Sequence, residues 1–129
     1  MNNLSKDIKD RLKEIDIEEI IWIIYIGIII LSFYSNKLEK DYFINKNDNA
    51  KSKYRNILII IFLILIFVYG YFLNDSFDSV KKLSKNDTKK RKLLTFSSYI
   101  GSLLIFISGL IFLLIAIFDE DIDVEIAFN

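Results

Sequence analysis

Apolar residues in this chain fall into three long blocks, and charged residues fall almost entirely between them. The blocks run from Ile20 to Tyr34, from Ile57 to Leu73, and from Leu93 to Phe118. A soluble core would spread its apolar positions periodically. Uninterrupted blocks free of charge instead predict helices that cross a bilayer. The expected fold class is all-α: a polytopic membrane protein of three transmembrane helices with a short N-terminal amphipathic helix. Residues 1–129 form a single integral membrane domain, since the longest polar stretch, residues 34–56, is too short to bury a core of its own.

The three blocks differ in quality. The first span, 20–34, has 15 residues and reaches about 22 Å at about 1.5 Å per residue. That falls short of a hydrocarbon core of about 30 Å, unless the helix continues through Ser35 to Leu38 with Lys37 snorkelling, or the bilayer thins. Trp22 and Tyr34 sit near its ends, where aromatic rings favour the headgroup zone. The second span, 57–73, opens with twelve consecutive Ile, Leu, Phe or Val residues, each favouring insertion by about 0.3–0.6 kcal/mol near the helix centre. The third uncharged run, 26 residues from Leu93 to Phe118, reaches about 39 Å and must tilt or protrude. Its span proper is placed at 95–118, with Thr95, Ser97 and Ser98 at the protruding end and Asn86 or Asp87 as capping candidates.

Between the blocks the pattern is polar. In residues 1–19, Leu4, Ile8, Leu12 and Ile15 share one helical face. With four basic and six acidic residues, that segment lacks the cationic bias of a lipid-binding helix. Asn45, Lys46, Asn47, Asp48 and Asn49 read as a loop. Phe77, Val80 and Leu83 recur at three-residue spacing, a short amphipathic turn. Residues 119–129 form an acidic tail. The N-terminus does not resemble a cleavable signal, because polar, charged residues lead into the first block and no small-residue cleavage site follows it.

Composition narrows the chemistry. The 129 residues carry 17 Lys+Arg and 17 Asp+Glu, with no Cys, His or Pro. Zero net charge gives no nucleic-acid footprint. Without Cys or His there are no disulfides and no common metal ligand or general base. All three runs lack an ionisable residue, the usual mark of a proton path or substrate site in a membrane. No phosphate loop or catalytic set can be assembled, and no cofactor or metal is expected. The chain is read as no enzyme.

Charge also suggests topology. Segments 1–19, 34–56, 74–92 and 119–129 hold four, six, seven and no basic residues. An N-terminus in the cytoplasm and a C-terminus outside puts eleven inside and six outside, the favoured arrangement. The tail carboxylates Asp119, Glu120, Asp121, Asp123 and Glu125 then face Lys37, Lys40, Lys51, Lys53 and Arg55. The tail reads first as a solvating acidic terminus; it also alternates charged and apolar residues, as a strand added to a partner's sheet would. A calcium loop is disfavoured, since its turn glycine and distant Glu are missing.

Two further features bear on contacts. Ser98, Ser102, Gly109 and Ala116 stand at spacings of 4, 7 and 7, and Gly101 and Ser108 widen the stripe. Small residues in register let membrane helices approach closely. Lys89, Lys90, Arg91 and Lys92 sit beside the third span, as a topology signal and as contacts for anionic headgroups. In architecture alone, the three short spans with charged connections resemble phage holins and the small membrane immunity proteins of bacteriocin systems. Expected partners are the lipid bilayer and another membrane protein or a second copy. The favoured function is a small non-enzymatic accessory or regulatory membrane subunit; the alternative is a self-assembling, holin-like permeabiliser.

Overall fold

A computed structural model describes residues 5–126 as three helices: α1 (Lys6–Asn45), α2 (Asp48–Lys81) and α3 (Lys89–Phe118). Leu4 of the expected amphipathic face and Phe128 of the tail lie outside the described residues. There is no strand among the described residues, and all three helices are long and apolar enough to cross a membrane. The set fits a small multi-pass membrane protein.

Each helix runs well past its apolar block. With 40, 34 and 30 residues, the helices measure about 60, 51 and 45 Å, against about 30 Å of hydrocarbon. The expected separate N-terminal helix is not a separate element, because residues 6–19 are the first turns of α1. No Gly or Pro interrupts them, and Arg11 ties Glu14 and Glu18 together at 3.0 and 3.3 Å. Ile8 and Leu12 on the expected apolar face remain exposed. Ser5 caps the start by accepting the Ile8 N–H at 3.3 Å.

The short first block is lengthened in the same way. Ser32 donates its hydroxyl to the Ile28 carbonyl at 2.8 Å, and Ser35 donates to Ser32 at 3.1 Å. Hydroxyls satisfied within their own helix carry little penalty away from water. Ser35 is accordingly fully buried and Leu38 packs on the core, so the helix continues past Tyr34 without a break.

The loop expected at 45–49 shrinks to two residues. Lys46 closes α1 in the left-handed region at φ 51°, and Asn47 opens α2 by accepting the Asn49 and Ala50 N–H groups. Asp41 accepts from the Asn45 and Asn47 amides at 2.6 and 3.0 Å, which cinches the turn. A turn this short forces α1 and α2 to run antiparallel as a helical hairpin. Phe77 and Val80 belong to the end of α2 and Leu83 lies beyond it. Neither capping candidate caps α3: Thr88 does, accepting the Arg91 N–H at 3.1 Å. Asp87 instead accepts the Ser84 N–H at 2.7 Å, shaping the connection before the helix.

Helix α2 is the centre of the molecule. Both α1 and α3 pack on it, and among the described residues no α-carbon of α1 comes within 8 Å of one in α3. The packing follows a coiled-coil period. On α1, Ile21, Ile28 and Ser35 are buried at seven-residue intervals, with Ile24 and Leu31 between them and Leu38 after them. On α2, Tyr54, Leu58, Ile61, Leu65 and Val68 alternate steps of four and three. The outward faces stay bare: Ile23, Phe33 and Phe67 are 67, 73 and 80% exposed. In water such faces would aggregate; in lipid they are solvated.

Candidate functional site

The small-residue stripe of α3 faces α2. Gly109 and Ala116 are buried, and a Cβ built on Gly109 would stand 3.2 Å from Tyr69 Cδ2 and 3.5 Å from Ile66 Cγ1. The Tyr69 ring therefore lies against the glycine backbone. Phe62 and Phe112 meet one stage further along at 5.8 Å between ring centres, and Phe77 and Tyr99 meet at 5.7 Å toward the other end. Ser102 is half-buried and Ser98 exposed. Gly101 differs from the rest: a Cβ there would meet nothing within 4 Å, so Gly101 widens no contact within the chain.

Beside this seam lies an open pocket of about 300 Å³, where α1 and α3 flank α2. Tyr25 contributes from α1, Tyr69, Asp75, Ser76 and Ser79 from α2, and Ser98 and Ser102 from α3. Ser76 and Ser79 donate to carbonyls of their own helix, whereas the hydroxyls of Ser98 and Ser102 make no such bond. Asp75 stands two residues past the second apolar run. Burial, then the nearby Glu14 and Glu18 carboxylates, push its carboxyl up from the ordinary range. A narrower slot of about 200 Å³ shares the Tyr69 and Ile105 walls and runs along α2 and α3 past Leu65, Phe62 and Phe112. The sequence pointed to Ser98 and Ser102 through the stripe. It gave no sign of Tyr25 or Asp75, which arrive only through helix packing.

At the opposite end the acidic tail is not a strand. Asp119 accepts the Asp123 and Val124 N–H groups at 3.1 and 2.7 Å, and Ile122 takes φ 56°. The chain therefore turns back and buries Ile126 among the residues around Tyr54 and Leu58. The Val124 and Asp123 N–H groups hold the Asp119 carboxyl below the usual carboxylate range. Of the five basic residues set opposite the tail, two reach it or the helix end before it. Lys51 pairs with Asp121 at 3.3 Å, and Arg55 donates to the Ile117 carbonyl at 2.7 Å, capping α3. Among the described residues Lys37, Lys40 and Lys53 make no ion pair with the tail. Glu120, Asp123 and Glu125 are exposed. No group of three possible metal ligands converges among the described residues.

The basic cluster occupies the first turn of α3. Arg91 pairs with Asp87 at 3.7 Å, and Lys92 donates to the Lys85 carbonyl at 3.4 Å. Lys89 and Lys90 are exposed. Four cations at a helix N-terminus oppose the helix dipole, so the cluster does not serve helix stability.

No family model, no curated protein and no solved structure matches the chain.

Proposed function

We propose that the chain is a small, non-enzymatic accessory or regulatory membrane protein that works by contact. The observation that carries this reading is the arrangement of three helices in a row: α1 and α3 touch α2 and leave each other free. Helix–helix contacts at Gly109 and Ala116 and tail contacts at Asp119 and Asp121 hold that row from within. The outer faces of α1 and α3 are then presented to another membrane protein or a second copy. The N-terminus and the basic connection 82–88, with Lys89–Lys92, belong to the cytoplasmic side, where four adjacent cations meet anionic headgroups at about 1 kcal/mol each near the surface. The C-terminus belongs outside.

A permeabiliser needs a polar stripe along its whole length. Most of the hydroxyls gather at one end of the α2–α3 seam, and the slot beyond them is walled by Phe62, Leu65, Ile105 and Phe112, with Ser108 the single serine along it. That distribution supports the contact reading over the pore. Expression of the chain in cells loaded with a membrane-potential dye separates the two. Potential is expected to hold while a mild-detergent pull-down retains a membrane partner or a second copy. Rapid depolarisation would replace this reading with the pore.

A further inference from the structure

We infer that the pocket between α1, α2 and α3 is a binding site for a bilayer phospholipid with a primary ammonium headgroup. Three observations define the occupant. The first is depth. Asp75, Ser76 and Ser79 lie just beyond the second apolar run, at headgroup level, while the adjoining slot descends from Ile105 to Phe112 between walls that are apolar except at Ser108. A molecule filling both is polar at that end and hydrocarbon below, as a lipid is.

The second is charge. Asp75 lines the pocket, and Glu14 and Glu18 of α1 and Asp78 of α2 act on it from nearby, opposed by Arg11, while Lys81 at the end of α2 lies over the Phe77 ring. Arg11 is itself held by Glu14 and Glu18 at 3.0 and 3.3 Å. The surroundings are therefore net negative and favour a cation over a purely anionic headgroup. The third is hydrogen bonding. Serine hydroxyls in membrane helices ordinarily donate to their own backbone, as Ser32, Ser76 and Ser79 do. Among the described residues no serine of α3 makes such a bond, and of these Ser98 and Ser102 line the pocket. They are donors available to phosphodiester oxygens while Asp75 receives the ammonium. The slot takes the upper part of one acyl chain. The site is independent of whether a protein partner docks on the outer helix faces.

Trp22, the single tryptophan, reports on this place, because its ring lies 5.6 Å from that of Tyr25 on the pocket wall. The full chain is reconstituted in phosphatidylcholine vesicles containing a small, equal fraction of phosphatidylethanolamine or phosphatidylglycerol brominated on its acyl chains. Quenching of Trp22 by the ethanolamine lipid is expected to exceed quenching by the glycerol lipid at least twofold. Asp75→Asn removes the charge at nearly constant shape, and Ser98→Leu fills the mouth from an exposed position that does not support the fold. Each is expected to bring the two lipids to equal quenching. Equal quenching in the native chain, stronger quenching by the glycerol lipid, or a preference untouched by both substitutions would overturn the site.

Discussion

Gly109 and Gly101 lie eight residues apart on one helix and look interchangeable in sequence. Their surroundings separate them. Between helices in lipid there is little hydrophobic drive to associate, so close backbone approach decides the packing. Gly109 stands against the Tyr69 ring, while Gly101 faces open space. Gly109→Leu is expected to cost about 1–3 kcal/mol of overpacking and to loosen α3 from α2. Gly101→Leu is expected to leave stability within about 0.5 kcal/mol, as exposed substitutions do. Denaturant titration of both variants in mild detergent measures the contrast, and equal losses would remove the role given to Gly109. The heptad spacing of Ser102, Gly109 and Ala116 was legible in the chain because period alone reveals a face. Which helix that face meets was not, since nothing local in α3 encodes Tyr69 or Ile66.

Among the elements, the tail departs most from its pattern. Alternating charged and apolar residues after Asp119 read as a strand, and Asp119 overrides that alternation by taking two backbone N–H groups into a turn. Side-chain capture of nearby N–H groups is the general way Asp competes with regular structure. The turn depends on pH. A carboxyl whose folded-state pKa is lowered stabilises the turn above the ordinary carboxylate range, and that stabilisation is lost as pH falls through the lowered pKa. In detergent micelles the Val124 amide resonance is expected to titrate with a midpoint below the ordinary carboxylate range, and Asp119→Asn is expected to abolish that titration. A midpoint within or above that range would contradict the turn. Helix ends were the least legible elements. The apolar block ends at Tyr34, but Ser32 and Ser35 satisfy their hydroxyls within α1 and carry the helix on to Asn45. Thr88 rather than Asn86 or Asp87 starts α3, because Asp87 is committed to Ser84.

For the whole molecule, the three apolar runs made the membrane fold plain from the start, since no other structure buries that much uninterrupted apolar chain in so few residues. The order of the helices across the row, with α2 central, was not encoded in any one run. Neither was the pocket, which exists only because α1 and α3 stand apart on α2. Three crossings set the turn at Asn47 and the tail on one side of the membrane and the 82–88 connection on the other. The chain contains no cysteine, so Asn47→Cys, Glu125→Cys and Lys85→Cys can each be probed alone with a membrane-impermeant maleimide in intact cells. Labelling at positions 47 and 125 with protection at 85 is the predicted result. Equal labelling of 47 and 85, or opposite behaviour of 47 and 125, would contradict it.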